Sequence, residues 1–217
     1  MPGRPKAVPA EPGTYEGRLE AVLFDVGNVI VRWDPRTLYS QIFDDPAERD
    51  RFLAEVCTMD WHGEHDRGVA MAENARALIA AHPHHEQAIL DWERRWDEMF
   101  SGVIEETVAV MEDLSARGVP LYALTNMPAE KAAGVFAMSP AFELFEDIVV
   151  SAVERVIKPD PRAFEIACER AGRLPEQMVF IDDSAANIKA ARALGFDAIL
   201  FHDPAALRPQ LQAPGLL

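Results

Sequence analysis

The chain has 217 residues, 49% of them hydrophobic and 26% charged, and a formal net charge of −15. That mix is globular and allows one sizeable core, or a core with a smaller inserted domain. Acidity of this size excludes nucleic acid and anionic membrane as partners, and no apolar run approaches the roughly 20 residues of a transmembrane helix.

Residues 1–19 (MPGRPKAVPAEPGTYEG and the two residues after it) are rich in Pro and Gly and lack the apolar stretch of a signal peptide. They predict a flexible extension, and with it a cytoplasmic protein. The run Ala21–Val31 reads as a strand buried on both faces that delivers Asp25 to its C-terminal end, where Gly27 and Asn28 break it. In an open α/β sheet that edge is where ligands bind. Two positions after Asp25, where a second acid would be useful, stands Gly27.

Residues 38–100 carry four segments with helical spacing, LYSQIF, AERDRFLAEVCTM, MAENARALIAAH and HEQAILDWERRWDEMF, and no strand candidate among them. The polar stretch WHGEHDRGV (61–69) reads as a turn linking two of them. A helical cap over 38–104, inserted into a core made of 20–37 and 105–217, is the expected organisation. From residue 105 onward strand and helix alternate: strands over 119–126, 147–153, 178–184 and 197–201, and helices over 129–137, 160–172 and 187–194, with Gly118 and Gly195 as helix stops. This pattern predicts an α/β fold, a doubly wound parallel sheet. Cys57 and Cys168 are far apart and read as free thiols of a reducing compartment, with a disulfide left open by the sequence.

Polar residues follow the strands: Asp25, then Thr125 and Asn126, then Lys158 in VIKPDP, then Asp182 and Asp183. Each alone reads as a turn or a helix cap. Together at one sheet edge they suit phosphoryl chemistry. Asp25 and Asp183 would hold Mg2+, a hard ion that takes oxygen ligands. The cation and Lys158 would neutralise phosphate oxygens, offsetting the negative field of the chain. Thr125 would donate to the same oxygens, and Asp25 would attack phosphorus.

FDVGNVI, LTN, the KP of VIKPDP and FIDDSAANIKAARALG, in that order, resemble the four motifs of the haloacid dehalogenase-like hydrolase superfamily. The resemblance runs from Ala21 to Phe201 and implies a Rossmann-like core with a helical cap. It implies that Asp25 is nucleophile and metal ligand, that Thr125 and Asn126 bind the transferring group, and that Lys158 steadies nucleophile and phosphate. It makes Asp183 the principal metal acid and Asp182 its neighbour at the metal, with the Gly27 carbonyl also on the metal; Asn187 stands where many members have another carboxylate. Dehalogenases of the family resemble one another in an aromatic residue two after the nucleophile and act without metal. Gly27 and the acidic pair Asp182–Asp183 instead favour a Mg2+-dependent phosphatase of a small phosphate ester. The Gly-Asn-Val of the first motif is similar to that of phosphatases acting on glucose 1-phosphate, whose leaving group leans less on a general acid. Most phosphatases of the family carry Asp where this chain has Gly27, so the proton source is unassigned. In the cap, Trp61, His62 and His65 are the candidates for contacting substrate, His62 or His65 for supplying that proton, while Trp92 and Trp96 read as cap core. A dehalogenase using the same Asp25, or a catalytically weak binding protein, are the alternatives; the sequence does not set the oligomeric state.

Overall fold

A computed structural model describes residues 19–213 and 215–217. The expected N-terminal extension therefore lies outside the described residues, apart from Leu19. Strand β1 (Ala21–Phe24) is followed by β2 (Val31–Trp33), five helices, and β3 (Phe100–Val103). The helices are α1 (Pro35–Tyr39), α2 (Pro46–Glu55), α3 (Met59–Asp66), α4 (Met71–Ala81) and α5 (Glu86–Arg94). Then come α6 (Glu105–Ala116), β4 (Leu121–Thr125), α7 (Ala129–Phe136), β5 (Phe145–Val150), α8 (Ser151–Glu154) and α9 (Pro161–Ala171). The chain continues through β6 (Met178–Asp182), α10 (Ala185–Ala193), β7 (Asp197–Leu200) and α11 (Pro204–Gln212).

Five strands form one parallel sheet in the order β5-β4-β1-β6-β7. The doubly wound α/β fold predicted from the sequence is the fold observed. Successive residues of the central strands face opposite ways, as the pleat requires. Val22, Phe24, Leu121, Ala123, Val179 and Ile181 pack with α6, α7 and α11, whereas Ala21, Leu23, Tyr122, Leu124, Met178 and Phe180 pack with α9 and α10. Helices thus cover both faces, and this is why β1 reads as an unbroken apolar run. Gly118 (φ +75°) and Gly195 (φ +100°) end α6 and α10 in backbone that an L side chain rarely adopts. From β1 the chain runs to β4 and β5 on one side, then crosses back to β6 and β7 on the other, so the order reverses at β1. The crevice at a reversal is the expected ligand site of an open α/β sheet.

Helices α1–α5 bury a third apolar cluster of their own, built on Leu38, Tyr39, Phe52, Ile89, Trp92, Trp96 and Met99. They leave and rejoin the rest of the chain through β2 and β3, an antiparallel pair with a register shift at Arg32/Trp33. This ribbon has no periodic signal, because Phe100–Val103 contains Ser and Gly. The stretch 61–69 is not the turn that its polarity suggested. Residues 59–66 are α3, capped by Thr58, whose side chain accepts from Trp61 N at 3.1 Å. Its buried residues are His62, His65 and Asp66, so no apolar stripe announces it. The segment 147–153 also divides: β5 stops at Val150 and Ser151 opens α8. No helix among the described residues is long and apolar enough to cross a membrane. Cys57 and Cys168 are free thiols.

Candidate active site

The parallel sheet places Asp25, Thr125, Asn126, Lys158 and Asp183 on one cavity of about 580 Å3, which Gly27, His62, Asp66 and Asn187 also line. Lys158 is its centre. Its Nζ lies 2.8 Å from Asp25 Oδ1 and 2.7 Å from Asp182 Oδ2, and 5.5 Å from the Phe180 ring centroid. Lys158 and Asp182 are almost wholly withdrawn from solvent, at 3% and 0% exposure. A buried ammonium is tolerated only when paired. Burial pulls the Lys158 pKa down, but the Asp25 and Asp182 carboxylates outweigh it and the net direction is up. Lys158 is therefore a cation at neutral pH.

Asp25 accepts from Val26 N at 2.7 Å through the same Oδ1 that meets Lys158. Burial pushes its carboxyl up to about 7 against the pull of Lys158, with Asp182 and Asp183 pushing the same way as burial. Asp182 is saturated with donors: besides Lys158, Ser184 N donates at 2.8 Å and Asn187 Nδ2 reaches both oxygens at 3.0 Å. An amide at position 187 gives Asp182 a donor where a carboxylate would repel it. Asp183, in contrast, is exposed, and its carboxyl is raised by desolvation and by Asp182 against the pull of Lys158 and a hydrogen bond from Asn28. Each of Asp25, Asp182 and Asp183 offers an oxygen within 4.8 Å of the others.

Four residues, Asn126, His62, His65 and Trp61, sit differently from expectation. The Asn126 amide is committed to the main chain of Lys158, donating to its carbonyl at 3.0 Å and accepting from its N–H at 2.9 Å. Its side chain therefore positions Lys158 rather than presenting a donor to a phosphate. His62 and His65 are buried and face each other, Nδ1 to Nδ1, at 3.4 Å, and Asn74 Nδ2 lies 2.9 Å from His65 Nε2. Burial lowers their pKa values to about 3 and about 4, so neither holds an extra proton at neutral pH. His62 also stacks on Trp33 at 5.2 Å between centroids, and Trp61 packs edge-on to His65 and Trp92 rather than lining the cavity.

At Gly27 the backbone is not left-handed, and a Cβ built there meets nothing within 4 Å. The missing side chain is thus not enforced by crowding. The sequence also left two participants unnoticed. Ser151 Oγ accepts from Met127 N at 3.0 Å and donates to the Asp66 carbonyl at 2.7 Å, tying the end of α3 to the strand ends. Asp66 itself reaches the cavity wall. Its only signal was the i,i+4 spacing from His62, which the turn assignment concealed.

Known proteins resemble the chain along most of its length. It is 26% identical over 188 residues to the phosphorylated carbohydrates phosphatase of Thermotoga maritima, covering 83% of this chain and 84% of that one. A sesquiterpene phosphatase of Aspergillus oryzae is 29% identical over 104 residues, 48% of this chain. There the chain spans only 53% of the relative's length, and it spans less of some other curated relatives. A HAD family enzyme of Bacteroides thetaiotaomicron, solved with magnesium and inorganic phosphate, shares the fold at a TM-score of 0.64 and 20% identity, with 87% of this chain and 98% of that one covered. Solved dehalogenases share the fold too. The family model for haloacid dehalogenase-like hydrolases matches residues 19–195, and the chain belongs to that family.

Proposed function

We propose that this protein is a Mg2+-dependent phosphatase of a small phosphorylated metabolite, acting through an aspartyl-phosphate on Asp25. The observation that carries the reading is the sharing of one buried ammonium, Lys158, between Asp25 and Asp182, with Asp183 beside them. Both contacts of Asp25 fall on Oδ1, which orients the group and leaves Oδ2 as the nucleophile. Oδ2 forms the bond to phosphorus as the ester oxygen departs. Water then attacks phosphorus and releases Asp25. Thr125, buried at the end of β4, and Lys158 hold the phosphoryl oxygens, and Asn126 holds Lys158.

The residues present fit Mg2+. Three carboxylates lie within 4.8 Å of one another and a single ammonium meets only two of them, Asp25 and Asp182, an excess of negative charge that an oxygen-preferring divalent ion relieves. Asp25 and Asp183, with the Gly27 carbonyl, would hold it. Asp182, already saturated, orients Lys158 from behind. When bound, the ion neutralises phosphate oxygens as a Lewis acid. The same charge excess argues against a dehalogenase, which acts without a metal ion to offset it. We further propose that residues 38–104 act as a cap on a core formed by 20–37 and 105–217. The magnesium and phosphate bound by the Bacteroides enzyme and the activity of the Thermotoga relative support this reading, and a cavity of about 580 Å3 suits a sugar-phosphate-sized ester.

The test is a panel of phosphate monoesters and 2-haloacids, assayed with Mg2+ and after thorough chelation, on the wild type and Asp25→Asn. Mg2+-dependent phosphate release that vanishes in Asp25→Asn is the expected result. Halide release that survives chelation indicates the dehalogenase instead. Identical behaviour of the two proteins towards every compound would make the fold a binding module.

A further inference from the structure

Gly27 leaves the reaction without a proton donor, and one carboxyl of the helical block is placed to supply it. We propose that Asp66 is the acid–base residue of this site: it protonates the departing ester oxygen and later takes a proton from the attacking water. The assignment rests on the phosphatase reading above.

Asp66 lines the same cavity as Asp25, Gly27 and Lys158 although it stands on α3. It is 7% exposed, and its Oδ1 is a buried oxygen with no hydrogen-bond partner among the described residues. Buried polar atoms are nearly always satisfied, and a carboxyl oxygen without a hydrogen-bond partner on a residue that lines the cavity is free to serve a ligand there. Its other oxygen is 3.6 Å from His62 Nε2, too long for a hydrogen bond. Neither oxygen is therefore occupied. The position is nevertheless held firmly, because the Asp66 carbonyl accepts from Ser151 Oγ at 2.7 Å.

The surroundings favour the protonated form. Asp66 is the last residue of α3, where the unpaired carbonyls of a helix end disfavour a second negative charge. Burial pushes its carboxyl up to about 7, with Arg67 and Lys158 pulling down and Asp25 pushing up. A group titrating there both donates and accepts at neutral pH. The remaining groups around it do not compete. His62 and His65 are neutral and occupied with each other and with Asn74, Asp182 is saturated, and Asp60, which lines the cavity from the other end of α3, is exposed rather than buried.

The proton balance closes. In the first step Asp66 gives its proton to the ester oxygen as the P–O bond breaks and the Asp25–phosphorus bond forms, leaving an alcohol and an Asp66 carboxylate. In the second step water delivers hydroxyl to phosphorus and a proton to Asp66, while the Asp25–phosphorus bond breaks. Asp25 carboxylate and protonated Asp66 are restored.

The experiment measures kcat/KM for substituted aryl phosphates of graded leaving-group acidity, from para-nitrophenyl to phenyl phosphate, on the wild type, Asp66→Asn and Asp25→Asn. This constant covers departure of the leaving group only, so the role of Asp66 towards water does not enter. Asp66→Asn is expected to lose about 10²-fold or more on the least acidic leaving group, with the loss shrinking progressively towards the nitrophenyl ester. Gly27→Asp added to Asp66→Asn is expected to recover part of that loss. A loss that is uniform along the series, or no loss, overturns the assignment while the hydrolase reading stands. Absence of Asp25-dependent turnover of the nitrophenyl ester in the wild type overturns the hydrolase reading and this assignment with it. The wild type alone offers a check that no folding defect touches. Turnover of the phenyl ester should fall as pH rises through about 7, relative to that of the nitrophenyl ester; superimposable profiles overturn the assignment.

Discussion

Ser151 hydrogen-bonds the Asp66 carbonyl at 2.7 Å across 85 residues of sequence, from the start of α8 to the end of α3. The same hydroxyl accepts from Met127 N, two residues beyond Thr125. One buried side chain thus sets the distance between the strand ends and the helical wall of the cavity.

Ser151→Ala removes that tie and leaves the Met127 N–H and the Asp66 carbonyl without their partner. Loss of one buried hydroxyl bridge costs about 1–3 kcal/mol, and Tm should drop accordingly. Turnover should fall by more than the stability loss explains at temperatures where the variant is fully folded, because α3 is no longer registered on the strand ends. A variant with lowered Tm and wild-type kcat would show that the tie is structural only.

Lys158→Met tests the charge balance. It leaves Asp25 and Asp182 buried without their cation, and breaking a buried pair in this way costs about 3–5 kcal/mol. The sign with pH is definite. Without Lys158 the main pull opposing burial at Asp25 is gone, so its folded-state pKa stands further above the unfolded value, and its contribution is present at low pH and lost as pH rises. The Tm deficit against wild type should therefore grow from about pH 5 to about pH 8, and phosphatase activity should vanish at both. A pH-independent deficit would mean that the ammonium is not what makes the acids tolerable.

The sheet and its polar edge were legible because both obey simple periods. Apolar runs of strand length separated by helical patterns specify a parallel sheet, and a parallel sheet brings the C-terminal ends of β1, β4 and β6 together. Placing Asp25, Thr125 and Asp182–Asp183 along one edge needs no more than that. The division of labour between Asp182 and Asp183 was not legible. Adjacent residues leaving a strand point opposite ways, and only packing decides that Asp182 turns inward to Lys158 and Asn187 while Asp183 stays exposed. Helix α3 was hidden for a related reason, since it buries His62, His65 and Asp66 instead of an apolar stripe. Asn126 was placed at the right strand end, but its side chain serves Lys158.

Asp182 and Asp183 should separate cleanly when each is changed to Asn. Asp182→Asn disrupts three donors at a fully buried site, and should lower the Tm of the metal-free protein. Asp183→Asn removes an exposed acid whose carboxyl is raised in the fold. It should leave the metal-free Tm unchanged or slightly higher and raise the Mg2+ concentration needed for half-maximal activity. Calorimetric Mg2+ titration alongside melting curves measures both. Equal Mg2+ affinity in Asp183→Asn and wild type would remove Asp183 from the metal site.

Asn126→Ala distinguishes a positioning role from phosphate binding. Losing the paired bonds to the Lys158 main chain should destabilise the protein by about 1–3 kcal/mol and lower kcat through misplacement of Lys158. Were the amide a phosphate ligand instead, KM would rise with Tm unchanged.

Asp66→Asn carries a stability signature independent of any substrate. In the wild type the Asp66 carboxyl titrates near 7 in the fold, against an ordinary value of 3.8. Between these values the folded state keeps a proton that the unfolded chain releases, so the stability associated with Asp66 is full below the lower value and lost as pH rises through the upper one. Asn is isosteric, has no such titration, and replaces an oxygen that has no hydrogen bond to lose. The Tm of Asp66→Asn relative to wild type should therefore climb by several degrees from about pH 5 to about pH 8 and level off above. Melting curves of the two metal-free proteins across that range measure it. A constant difference would mean that Asp66 is an ordinary ionised carboxylate in the fold, and an ordinary carboxylate is not protonated at neutral pH to serve the leaving oxygen.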